Sequence, residues 1–272
     1  MMRDFFLAPL WSFFNLNFYR RILARSAAWG FLYLAYLSFL LSVSMVFLVR
    51  LQFLPPAHEF VGWLAGSLPK MVLTRQGIQM DLNEPALLSH PQWGPVLYLD
   101  PAKDFPDSSD LEKAVLVLTR TKVAYRDPVG GDYRIQDLVQ KRTSARAQDL
   151  VVTGDWIREI WRRVVPWLTP ISLAAFFVAT YLWKLNAAFA YSLVGLIFNL
   201  FRKERLPYRS LLNVSFCVLT PAALLQTLAW HFPAWPIPVN LLMGLLVTSI
   251  YLALAVLATQ PRPSSDTITP PA

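Results

Sequence analysis

Residues 210–260 read SLLNVSFCVLTPAALLQTLAWHFPAWPIPVNLLMGLLVTSIYLALAVLATQ and contain no Lys, Arg, Asp or Glu. A soluble domain does not tolerate so long a stretch without ionisable groups. Two consecutive membrane-spanning helices do, because each needs about 20 apolar residues to cross the hydrocarbon core. The stretch therefore predicts an integral membrane protein, with helices over Leu211–Trp230 and Ile237–Ala258 joined by the Pro- and Trp-rich loop His231–Pro238.

Working outward, the composition agrees. The chain of 272 residues is 55% hydrophobic and 15% charged, with a net charge of +8. The bases flank apolar runs, so their expected role is orientation and contact with anionic headgroups, and nucleic acid is not an expected partner. The single cysteine, Cys217, cannot form an intrachain disulfide, and three scattered histidines give no zinc-type spacing.

Upstream, residues 1–25 form a cytoplasmic or interfacial leader in which Phe5, Phe6, Trp11, Phe13, Phe14, Phe18 and Tyr19 precede Arg20, Arg21 and Arg25. Residues 26–54 form the first transmembrane helix, uncharged from Ser26 to Val49, expected to stay as an anchor and to end at Pro55-Pro56. The arginines before it place the N-terminus in the cytoplasm. Residues 55–163 then regain charges and turn signals and predict an extracytoplasmic α+β module. In it Met71–Arg75 and Ile78–Leu82 read as a hairpin, Val96–Asp100 as a short strand and Ala114–Arg126 as the strongest strand. His58–Leu68 and Ile135–Arg146 read as helices.

Residues 164–260 predict a helical membrane bundle, and residues 261–272 a disordered Pro/Ser/Thr-rich tail. The fold class is thus a polytopic α-helical membrane protein with an inserted extracytoplasmic α+β module. It has five hydrophobic helices and four or five crossings. The count turns on Leu185–Phe201, an apolar run separated from Val164–Trp183 by Lys184. If both cross, the basic cluster Arg202, Lys203, Arg205 and Arg209 lies outside, against the positive-inside rule. If they form one element or the second is re-entrant, the cluster and the tail lie inside.

The aromatic-basic leader FFNLNFYRRILARSAAWGFLYL, the GIQMDL and VLYLD strands, and the stretch LVGLIFNLFRKERLPYRSLLNVSFCVLTPAALL resemble a bacterial integral membrane family of unknown function. This is domain-of-unknown-function family 1189, some members of which are described as maltodextrin-utilisation membrane proteins, within a Yip1-like group. The most specific stretch is Arg202–Pro221, a basic loop leading into a helix with Leu219-Thr220-Pro221. The resemblance implies a membrane protein of the bacterial inner membrane, and no catalytic residues.

Three groups of residues are candidate sites. Arg20, Arg21, Arg25, Arg202, Lys203, Arg205 and Arg209 fit topology determinants or anionic-lipid contacts. Lys184, Asn213, Thr220, Gln226 and Asn240, polar within apolar runs, must face protein, a cavity or an interface and could line an intramembrane polar path or headgroup pocket. Asp81 and Asp100, read as ending adjacent strands, could hold an external cation or sugar. No nucleophile–base, zinc-protease or P-loop pattern occurs, so neither an enzyme nor a cofactor is expected. The expectation is a non-enzymatic accessory or scaffold protein. Its partners would be membrane lipids and another membrane or envelope protein. The alternative is a small transporter or lipid-handling protein using the C-terminal helices.

Overall fold

The computed structural model describes residues 5–74, 76–127, 132–138, 149–232 and 241–258. The chain divides into two compact units, one of residues 1–50 with 169–272 and one of residues 51–168.

The first unit is a helical bundle. It contains α1 (Ala8–Phe14), α2 (Leu16–Leu23), α3 (Ala27–Leu48), the last part of α6 (Gly154–Leu200), α7 (Tyr208–His231) and α8 (Leu241–Ala258). Three described helical stretches, Ala27–Ser67, Gly154–Leu200 and Tyr208–His231, are long and apolar enough to cross a membrane, and α8 is a shorter apolar helix. The leader is not an isolated surface segment. Phe18, Tyr19 and Ile22 are buried in the bundle core, Tyr19 Oη donates to Ser12 O (2.7 Å), and Tyr251 Oη donates to Phe13 O (3.1 Å). Asn15 caps α2 and Ser26 caps α3, so the chain turns twice before the long helix begins.

Helix α7 is the axis of the unit, with every residue from Ser210 to Pro221 buried. Its partner α3 runs parallel to it. Asn213 Nδ2 donates to Arg25 O (3.0 Å) and lies near Ser26 O (3.4 Å). Further along, Gly30 faces Phe216, Tyr33 Oη and Thr220 Oγ1 are 2.5 Å apart, and Ser44 meets His231 at 3.4 Å. Both residue numbers rise together at an offset of 187, as only parallel helices allow. Gly30 permits the close approach, because a Cβ there would stand 2.5 Å from the Phe216 ring.

The runs Val164–Trp183 and Leu185–Phe201, read as separate segments, belong to one helix, α6. Lys184 does not break it, since lysine is a good helix former whose aliphatic stem packs along apolar surface. Helix α6 starts well before Val164, at Gly154, and so includes the charged stretch Asp155–Arg163. Its last turns run antiparallel to α7: Ser192 Oγ meets Tyr208 Oη (2.9 Å), and Gly195 packs on Leu211 and Leu252. Asn199 closes the connection like a piece of backbone, donating to Leu206 O (3.0 Å) and accepting from Leu206 N (2.9 Å).

The second unit is α+β. Pro55 and Pro56 do not end the first helix. A π-helical turn, Val49–Phe53, leads into α4 (Leu54–Ser67), whose first turn holds both prolines where no N–H is required. The eight described strands are β1 (Met71–Thr74), β2 (Gly77–Met80), β3 (Ala86–His90), β4 (Gly94–Asp100), β5 (Leu116–Thr119), β6 (Lys122–Arg126), β7 (Tyr133–Asp137) and β8 (Leu150–Val152). They form a three-stranded sheet, β2-β1-β8, and a five-stranded sheet, β3-β4-β5-β6-β7, in which β4 and β5 alone are parallel. Their crossover carries the short helix α5 (Ser108–Leu111).

The Met71–Thr74 and Gly77–Met80 hairpin matches its reading. Ala114–Arg126 does not, because Thr119 Oγ1 and Lys122 bond each other across Arg120-Thr121 (3.2 Å) and split it into β5 and β6. The start of the expected Ile135–Arg146 helix is strand, paired with β6. Residues 139–148, the expected loop over residues 233–240 and the tail 259–272 lie outside the described residues. Strand alternation divides β4 between two cores: Leu97 and Leu99 pack with Met71, Ile78 and Leu118, while Tyr98 packs with Val117 and Ala124. The sheets meet where Ile78 N donates to Arg120 O (2.7 Å).

Candidate functional site in the helical bundle

The basic residues gather at the end of the bundle where α3 and α7 begin. Arg209 Nη2 lies 3.4 Å from Arg25 O, and Arg21 stacks over Trp11 (5.2 Å). Arg20, Arg21, Lys203 and Arg205 are exposed, whereas Arg25 is half-buried. Arg202 differs from the rest. It is 6% exposed, donates Nε to Glu204 O (3.0 Å) and donates Nη1 to Val256 O at the end of α8. It ties the α6–α7 connection to the last helix, so its surface is not available to lipid.

The polar residues of the helices separate into two groups. Asn213 and Thr220 are fully buried at the α3–α7 seam, bonded to the Arg25 carbonyl and to Tyr33. Lys184 and Gln226 come together elsewhere. They line a cleft of about 380 Å³ between α6, α7 and α8, with Trp183, Ala187, Ala190, Tyr191, Val194, Leu219, Ala222, Gly244, Leu245 and Thr248. They also line an adjoining hollow of about 250 Å³ against Leu41, Met45 and Trp230. Asn240 lies outside the described residues.

Lys184 sits in this cleft without a counter-charge among the described residues. Glu204 is the one carboxylate side chain among the described residues of the bundle, and it stands beyond the far end of α6. Gln226 and Lys184 have no hydrogen-bond or ion-pair partner among the described residues. Trp183 and Trp230 flank the opening and are 67% and 48% exposed, as aromatic residues at a headgroup boundary are. Away from Lys184 and Gln226 the lining is mostly small or apolar, with Tyr191 and Thr248 as its hydroxyl-bearing members. The cleft thus offers a cation at one end and an apolar slot behind it, which suits an anionic amphiphile. Thr248 is legible in sequence as a polar residue within an apolar run, whereas Tyr191 carries no isolated signal, since it looks like helix packing until the helices are assembled.

In the module, Asp81 and Asp100 do not end adjacent strands: β2 and β4 belong to different sheets. Asp100 is 2% exposed, and its Oδ1 accepts from Ala102 N (3.0 Å) and Lys103 N (3.3 Å), a turn closed by its own side chain. Asp81 is exposed. Among the described residues no three metal-ligating side chains converge. The module also holds an aromatic cluster with no local sequence signal, where Trp93 stacks on His90 (4.5 Å) and Phe60 meets Trp93 (5.1 Å). A hollow of about 400 Å³ also lies between α4 and the first turns of α6, and there Trp161 Nε1 donates to His58 Nδ1 (2.9 Å).

Residues 8–256 match the family model described as "Protein of unknown function (DUF1189)". The chain belongs to that family. No curated protein and no solved structure matches it. Membership of the DUF1189 family carries no assigned activity, so the chemistry of the cleft and of the module is the available guide to function.

Proposed function

We propose that this DUF1189 member is a non-enzymatic accessory protein of the bacterial inner membrane that crosses it four times. The N-terminus and the Arg202–Arg209 loop lie inside, and the α+β module faces the extracytoplasmic side, where it contacts a membrane or envelope partner. The observation that carries this reading is the parallel register of α3 and α7. Parallel spanning helices begin on the same side, so Arg20, Arg21 and Arg25 before α3 share a side with the cluster of Lys203, Arg205 and Arg209 at the start of α7. The positive-inside rule makes that side cytoplasmic. One return crossing is then needed between α3 and α7, and α6 supplies it as a single helix. The half-exposed Trp93 of the aromatic cluster is the part of the module best suited to a partner.

Cysteine accessibility in intact cells tests this, in a Cys217→Ser background with single cysteines at Ser108, Lys203 or Ser265. Labelling by an impermeant maleimide at Ser108 alone is expected. Labelling at Lys203 would overturn the four-crossing arrangement.

A second reading, lipid handling by the bundle, is favoured by one specific observation: the cleft at Lys184 combines a cation that has no ion-pair partner among the described residues with an apolar slot.

A further inference from the structure

We propose that the cleft between α6, α7 and α8 binds an anionic phospholipid, with its phosphate at Lys184 and an acyl chain lying along Ala187, Ala190 and Val194. This deepens the lipid-handling reading and rests on it. Three observations converge. First, Lys184 has no carboxylate to neutralise it among the described residues, and a cation at membrane depth requires a counter-charge, water or a headgroup. Second, its depth fits a headgroup. Lys184 lies level with Gln226, seventeen residues along α7 from Arg209, or about 26 Å at the helical rise. That is nearly the thickness of the hydrocarbon core, so Lys184 stands at the boundary opposite the basic cluster, beside Trp183 and Trp230. Third, the cleft runs inward from that cation. Its α6 wall extends from Trp183 to Val194, about 16 Å along the helix, and inward of Lys184 it presents Ala187, Ala190, Tyr191 and Val194. Gly244 on α8 leaves the slot open, since a Cβ built there meets nothing within 4 Å.

The ligand chemistry is thus a phosphate monoanion joined to an apolar chain, and the topology proposed above places it in the outer leaflet. Gln226 adds a neutral donor and acceptor beside the cation. At the other end of the bundle, the hollow beside Arg21 and Arg25 has a volume of only about 30 Å³, too small for an acyl chain.

Native mass spectrometry of the detergent-purified full chain tests this, with phosphatidylglycerol, phosphatidylcholine or glycerol 1-phosphate added. Wild type is expected to retain one phosphatidylglycerol in preference to phosphatidylcholine, without displacement by glycerol 1-phosphate. Lys184→Gln should weaken phosphatidylglycerol retention about tenfold, while Lys184→Arg keeps it. Gly244→Leu, which fills the slot and leaves the charge, should abolish retention of phosphatidylglycerol. Equal retention of both lipids, lost only in Gly244→Leu, would overturn the anionic assignment and leave lipid handling standing. Displacement by glycerol 1-phosphate would overturn the lipid assignment in favour of a free phosphate ligand. Retention unchanged in both Lys184→Gln and Gly244→Leu would overturn the site and the lipid-handling reading together, as expected if a helix of another protein fills the cleft.

Discussion

Gly30 is the position at which the seam between α3 and α7 is tightest, and Gly30→Leu is the perturbation that tests it. A Cβ at residue 30 would lie 2.5 and 2.9 Å from two carbons of the Phe216 ring and 2.6 Å from Asn213 Oδ1. Ordinary contact begins near 3.4 Å, so the helices must part by roughly 1 Å for the first added atom alone. Phe216 is fully buried, so its ring cannot move out into solvent or lipid. Overpacking of this kind costs about 1–3 kcal/mol. Parting the helices also weakens the Tyr33–Thr220 and Asn213–Arg25 bonds, each worth about 0.6 kcal/mol in a membrane bundle. Replacing glycine within a helix returns up to about 1 kcal/mol. The net expectation is a loss of about 1–3 kcal/mol by these terms, read as a lower SDS fraction at the unfolding midpoint of the purified protein. Gly244→Ala is the control, because its Cβ meets nothing and it should match or exceed wild type. A Gly30→Leu midpoint equal to that of Gly244→Ala would refute the close parallel packing.

Two further outcomes concern the module. Gly77 has φ +133°, and a Cβ there would sit 2.3 Å from the Arg120 carbonyl oxygen. Gly77→Ala should therefore lower the melting temperature of the module within the full-length protein by opening the Ile78–Arg120 link between the sheets, an opening that faster hydrogen exchange at Ile78 would report. Asp110 is buried, which taken alone would raise its pKa, yet hydrogen bonds from Lys103 and Lys113 hold it down at about 2 against an ordinary 3.8. A depressed folded-state value means stability that is present above the unfolded pKa and is lost as pH falls through the folded one. The module should accordingly lose stability between about pH 4 and pH 2, and Asp110→Asn should be less stable at neutral pH and show a flatter acid dependence across that window in thermal melts.

Much of this architecture is legible in the sequence because it rests on patterns that survive without tertiary context. Long uncharged runs identify α3, α7 and α8, and the Gln76-Gly77 turn between β-branched or long apolar residues identifies the β1–β2 hairpin. What stays hidden depends on pairing between distant segments. The unity of α6 is invisible locally, since a lysine between two apolar runs reads equally as a loop or as one turn of a continuous helix. The break in Ala114–Arg126 depends on the Thr119 side chain closing a turn, and Asp100 looks like a ligand until its oxygen is found bonded to the next turn. Lys184 and Gln226 are both recognisable as polar positions in apolar helices. Their separation from Asn213 and Thr220 is not, because it follows from which face of α7 each neighbour covers. Arg202 is indistinguishable in sequence from the exposed bases around it, and only the arrival of the α8 terminus reveals its different partner.

The parallel direction of α3 and α7 underlies the proposed orientation, the proposed crossing number and the proposed depth of the Lys184 cleft. Double-cysteine cross-linking in a Cys217→Ser background measures that direction. The same-end pairs, Ser26→Cys with Asn213→Cys and Ser44→Cys with His231→Cys, should cross-link rapidly, since the native residues are in contact. The opposite-end pairs, Ser26→Cys with His231→Cys and Ser44→Cys with Asn213→Cys, should remain unlinked. Efficient linkage of the opposite-end pairs would mean antiparallel helices and would contradict the account.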